Sequence, residues 1–169
     1  MKDSHNIHNI HTCSHIHTHS DNPVIIAAGT FDHLHKGHIY FLETAFAYGV
    51  VMIGLCADKM ITHKKFAEKI FSYTKRKHQL VEYLTEKGYT SKDYCIKKIT
   101  DELGFAVTIR NIDAILVTPE VKENAKKINE VRKKKGWNPL DIVEIPLLKD
   151  EQGVISSTRM RESDKTDIE

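Results

Sequence analysis

The chain has 169 residues, 40% apolar and 28% charged, a balance that fits one globular domain rather than a disordered or fibrous chain. Its formal net charge of +2 is too small to argue for nucleic acid or an acidic membrane as partner. No apolar run approaches the ~20 residues that span a bilayer, and the N-terminus lacks the apolar core of a signal peptide. Cys13, Cys56 and Cys95 lie far apart and form no C-x-x-C pair, so neither a disulfide framework nor a thiolate zinc site is suggested. A reducing cytoplasm is the simplest compartment.

Residues 1–22 stand apart. His5, His8, His11, His15, His17 and His19 fall among Asn, Ile, Thr and Ser. Imidazoles at this density bind transition metals, but the tract also reads as a disordered tail or a purification tag. The folded domain is expected over 23–162, with a flexible acidic tail over 163–169.

From Pro23 the elements alternate. Pro23–Gly29 is a short apolar run that reads as a buried strand. His38–Tyr48 carries Ile39, Leu42, Ala45 and Phe46 on one helical face, and Gly49 is its stop. Val50–Cys56 reads as a second strand, and residues 57–72 mainly as loop. Thr74–Lys87 reads as a helix closed by Gly88, Tyr94–Ile99 as a third strand and Asp101–Ile109 as a short helix. A fourth strand spans Asp113–Thr118, a helix Glu120–Lys135, and a fifth strand Asp141–Leu148. A last short helix starts over Ser156–Arg161. Such alternation predicts an α/β fold, a Rossmann-like five-stranded parallel sheet with helices on both faces. Ligands of such sheets bind beyond the carboxyl ends of the strands, which directs attention to Gly29 and Thr30.

Two segments carry chemistry. In Gly29-Thr-Phe-Asp-His-Leu-His-Lys-Gly-His38, the first strand turns into the first helix. Thr30 offers a hydroxyl, His35 and His38 share a face of the first turn, and Gly37 between them removes a side chain. Free amides at the helix start add donors for a phosphate that gains charge in a transition state. Two histidines without an evident third ligand make zinc the weaker reading, and no protein-held metal is expected. In Ile155-Ser-Ser-Thr-Arg-Met-Arg161, hydroxyl residues open a helix and Arg161 follows within one turn.

The first segment resembles the signature of the nucleotidyltransferase superfamily that shares the H-x-G-H element with class I aminoacyl-tRNA synthetases, and the second resembles its I-S-S-T-x-x-R element. Ser72-Tyr-Thr-Lys-Arg76, Val117-Thr-Pro-Glu120, Lys127-Ile-Asn-Glu-Val-Arg132 and Asn138–Pro146 look like archaeal-type phosphopantetheine adenylyltransferase, with Ser72 where that family has proline. The resemblance covers residues 23 to about 161. It implies transfer of an adenylyl group from ATP, with Mg2+, to 4′-phosphopantetheine in coenzyme A biosynthesis. It assigns catalysis to Thr30, His35 and His38. ATP contacts would come from Gly29, Thr30, Phe31, His35, His38, Thr118, Asn129, Ser156, Ser157, Thr158 and Arg161. Acceptor contacts would come from Asp32, Lys64, Lys65 and Arg76. Which of Lys64 and Lys65 reaches the phosphates stays open, as does Arg76 between binding the acceptor and decorating its helix. The first motif is shared with glycerol-phosphate cytidylyltransferases and with FMN and nicotinamide-mononucleotide adenylyltransferases. A non-catalytic nucleotide-binding protein is the reading from another class. The sequence leaves oligomeric state unknown.

Overall fold

The computed structural model describes residues 22–163, so the histidine tract lies outside the described residues except for Asn22. Five parallel strands form one sheet in the order β3-β2-β1-β4-β5: β1 Val24–Gly29, β2 Val50–Cys56, β3 Tyr94–Ile99, β4 Ala114–Val117 and β5 Asp141–Glu144. Helix α1 (Lys36–Tyr48) joins β1 to β2, α2 (Tyr73–Glu86) joins β2 to β3, and α3 (Lys122–Lys134) joins β4 to β5. Among the described residues no helix is long and apolar enough to cross a membrane.

Side chains alternate across a strand, so each strand feeds two cores. Ile25 and Ala27 of β1 pack with Leu42 and Ala45 of α1 and Leu80 and Leu84 of α2. Val24 and Ile26 pack on the opposite face with Ala125 and Ile128 of α3. Both faces are covered, which explains why β1, β2 and β4 read as continuous apolar runs.

Two elements differ from the sequence reading. Asp101–Ile109 forms only a 3-10 turn at Gly104–Val107. The Asp101 carboxylate accepts from the amides of Leu103 and Gly104, and Gly104 takes a φ of +54°, so the backbone leaves the helical path. The expected fifth strand ends at Glu144: its partner β4 stops at Val117, and Ile145 N to Val117 O is the last bond between them. Beyond it the chain forms a small antiparallel hairpin of β6 (Lys149–Asp150) and β7 (Gly153–Val154), then α4 (Ser157–Ser163). Cys56 is a free thiol among the described residues.

Candidate active site

The chain runs outward from β1 through β2 to β3, then returns to the other side of β1 as β4. A crevice opens at such a reversal, beyond the strand ends. Here it is a cavity of about 450 Å3, within the usual range for small-molecule sites. Gly29 and Thr30 at the end of β1, Thr118 after β4, the start of α1 and the start of α4 all line it.

The first motif is shaped by its two histidines. His35 is the N-cap of α1, and its Nδ1 accepts from the Gly37 amide at 3.0 Å. The His38 Nδ1 accepts in turn from the His35 amide at 3.4 Å. The pair forms a reciprocal capping box built from imidazoles, with the rings stacked 3.9 Å apart. Both Nδ1 atoms act as acceptors, which assigns each ring's proton to Nε2. Burial, then the neighbouring His35 and Lys64, push the His38 pKa down to about 3, and burial and Arg159 lower that of His35. Both rings are neutral donors at physiological pH. A Cβ built on Gly37 would lie 2.9 Å from the His35 ring, so glycine is needed for the capping imidazole to sit there.

The loop before α1 is strained. Phe31 and His33 have φ of 50° and 47°, in the left-handed region that costs such residues roughly 1–2 kcal/mol each. Packing holds them. The Phe31 ring is buried against His38 and Phe41, while His33 stacks on Phe71 at 4.2 Å and bonds the Asp32 carboxylate at 2.7 Å.

The second motif locks onto this loop. The Ser157 hydroxyl donates to the Asp32 carbonyl at 2.6 Å and lies 3.5 Å from His35 Nε2, which can donate to it. Arg161 Nη1 meets the Asp32 carboxylate at 3.0 Å, and Nη2 reaches the Lys65 carbonyl and the Thr158 hydroxyl. Arg161 Nε is buried without a partner. The Ser156 hydroxyl accepts from the Arg159 amide and caps the turn. Arg159 pairs with Asp150 through both nitrogens at 2.8 and 2.6 Å, tying the hairpin to α4.

The structure separates Lys64 from Lys65. Lys64 Nζ donates to the Thr30 hydroxyl at 2.8 Å, and burial lowers its pKa. Lys65 also lines the cavity, but its side chain is mostly exposed and lies 3.8 Å from Glu162.

Three expected contacts are not brought to the cavity as free groups. Asp32 is fully buried, engaged by Arg161, His33 and the Phe71 amide, and does not line the cavity. Arg76 is fully buried, and its guanidinium is taken up by main-chain carbonyls and Asp58. Asn129 spends both ends of its amide on Leu140, pinning the approach to β5. Its neighbour Arg132 is likewise buried and bonds the carbonyls of Ala106, Ile109, Arg110 and Asn138.

Sequence reasoning missed the apolar wall of the cavity. Tyr40 and Phe41 of α1, Val121, and the Pro146–Leu148 segment supply it. The Pro-Leu-Leu run was visible but read as strand. An apolar slot beside convergent hydroxyls, imidazoles and a lysine suits a ligand with a flat apolar end and a polyanionic end.

Residues 26–163 match the cytidylyltransferase-like family. A phosphopantetheine adenylyltransferase of Thermococcus kodakarensis is 41% identical over 139 residues, covering 81% of this chain and 83% of that protein. One of Methanosarcina mazei is 37% identical, covering 82% and 90%. A crystal structure of a protein of unknown function from Archaeoglobus fulgidus superposes with a TM-score of 0.64 at 28% identity, covering 73% of this chain and 88% of that one. The chain therefore belongs to the cytidylyltransferase-like family, among the phosphopantetheine adenylyltransferases.

Proposed function

We propose that the chain transfers the adenylyl group of ATP to the phosphate of 4′-phosphopantetheine, giving dephospho-coenzyme A and pyrophosphate. The observation that carries the reading is the meeting of the two motifs around one cavity, with Ser157 against His35 and Arg161 against Asp32. The names of the relatives supply the acceptor.

An acceptor phosphate oxygen attacks the α-phosphorus, the bond to the bridging oxygen breaks, and pyrophosphate leaves. The nucleophile is already an anion, so no strong base is required, and catalysis rests on positioning and charge stabilisation. In this reading the neutral His38 donates from Nε2 to the α-phosphoryl group, beside Thr30 and Lys64. His35, Ser157, Thr158 and Arg161 hold the outer phosphates, and the apolar wall takes the adenine. Among the described residues no cluster of His, Cys, Asp or Glu is set to hold a metal ion. Magnesium fits as a companion of the ATP phosphates, its usual mode with few protein ligands, where it would neutralise their charge. ATP as donor fits a cytoplasmic protein.

Pyrophosphate release with a panel of acceptors tests the reading. With ATP and magnesium, 4′-phosphopantetheine should turn over and unphosphorylated pantetheine should not. Preference for CTP with glycerol phosphate, or for nicotinamide mononucleotide with ATP, would overturn the acceptor.

A further inference from the structure

The loop between β2 and α2 carries Lys64 to the hydroxyl of Thr30, although it holds only short 3-10 turns at Asp58–Met60 and Ala67–Lys69. Something must set its path. Arg76, on the first turn of α2, is fully buried. Its Nη1 donates to the Thr30 carbonyl at 2.8 Å, its Nη2 to the Cys56 carbonyl at 2.9 Å, and its Nε to the Phe71 carbonyl at 2.8 Å. Cys56 and Phe71 stand at the two ends of the loop, and Thr30 is the residue Lys64 must meet. One planar guanidinium therefore closes the base of the loop and docks it on the first motif. Asp58, 3.0 Å from Nη2, balances the charge. The Phe71 amide adds a bond to Asp32, the partner of Arg161, so the loop end is tied to the second motif as well.

We infer that Arg76 is a positioning residue for the transfer step, holding the Thr30–Lys64 pair in register with the reacting phosphate. The inference rests on the adenylyl-transfer reading above. Arg76 is not among the residues that line the cavity; it acts through the loop it closes. Lysine cannot replace it, because a single ammonium lacks the rigid fork that reaches three carbonyls at once.

The molecule contains its own control. Arg132 is equally buried and also bonds main-chain carbonyls, but those of Ala106, Ile109, Arg110 and Asn138, away from the cavity. Arg76→Lys and Arg132→Lys both remove a buried fork, so both should lower the melting temperature. Only Arg76→Lys should lower kcat, by about 10²-fold per folded molecule, the scale of a misplacement near 1 Å. Arg132→Lys should keep the wild-type kcat. Placed on Lys64→Ala, Arg76→Lys should add little further loss, because both changes disable the same contact. Unchanged kcat in Arg76→Lys, equal losses in both arginine variants, or additive losses with Lys64→Ala would overturn the inference. Should Arg76→Lys fail to fold, Asp58→Asn loosens the same fork from the exposed side, and the same cycle with Lys64→Ala decides. A wild type inactive on ATP and 4′-phosphopantetheine would sink the adenylyl-transfer reading instead. Positioning is then read from the acylation rate of Lys64 by an amine reagent, followed by mass spectrometry. That rate should rise in Arg76→Lys and not in Arg132→Lys; equal rates would overturn it.

Discussion

Asp32 and Arg161 lie 129 positions apart in the chain and meet at 3.0 Å, with both side chains withdrawn from solvent. The pair joins the loop after β1 to α4 and so makes two motifs into one site. Removing one partner of a buried pair leaves an uncompensated charge and typically costs about 3–5 kcal/mol. Asp32→Ala should therefore lower the unfolding free energy by about that much and raise KM for ATP, measured by urea denaturation and steady-state kinetics. Stability within about 0.5 kcal/mol of wild type, the range of ordinary surface changes, would show that the pair does not hold the motifs together.

His38→Ala should damage turnover more than ATP binding. The ring is a neutral donor fixed by the His35 amide, and in the proposed mechanism it meets charge that grows in the transition state. Loss of such a donor typically lowers kcat by about 10²–10³. Calorimetry should find ATP affinity much less affected. Equal turnover by the variant would remove His38 from the mechanism.

Stability should fall in mild acid, and His38 should be a main cause. In the unfolded chain its imidazole takes up a proton near pH 6.5, whereas in the folded protein it stays neutral down to about pH 3. The unfolded state binds more protons over that interval, so folding stability is full above pH 6.5 and is lost as pH falls toward 3. The slope from this group is at most about 1.4 kcal/mol per pH unit. Denaturation at pH 7, 6, 5 and 4 should show a flatter dependence for His38→Gln than for wild type. Parallel curves would mean that His38 titrates normally in the folded protein.

Gly37→Ala should slow the enzyme while leaving it folded. The added methyl would lie 2.9–3.0 Å from Cε1 and Nδ1 of His35, so the ring must shift and its capping bond to the residue 37 amide must lengthen. The stacked His38 shifts with it. A kcat loss approaching 10²-fold with little change in melting temperature is expected. A crystal structure of the variant with both rings unmoved would count against this account.

Removal of residues 1–22 should leave folding and turnover intact. The tract is polar and histidine-rich with no periodic apolar face, and β1 begins after it at Val24. Circular dichroism and pyrophosphate release on the shortened chain decide the matter. Loss of active protein would give the histidines a structural role.

Alternation of strands and helices, the position of the switch point and the two motifs that line the cavity were legible in the sequence. They rest on local physics: apolar periodicity, glycine at Gly37, and capping by side chains within a few residues of their partners. The fate of the polar side chains was not legible. In sequence Asn129 and Asp32 read as ligand contacts and Arg76 as an acceptor contact or a helix decoration, and none of them, nor Arg132, reads as buried, since charged and amide residues mostly are exposed. Each is instead held by partners brought to it by the fold, most of them main-chain carbonyls and amides, and a main-chain partner has no residue-type signature. The same holds for the choice between Lys64 and Lys65. Adjacent lysines are chemically equivalent, and only the closed path of the loop from Cys56 to Phe71 turns Lys64 toward Thr30. The sequence by itself determined which elements form and which two segments belong at the crevice beyond the strand ends. The tertiary structure alone decided which cations reach that site and which are buried as clamps, because that choice depends on contacts between segments far apart in the chain.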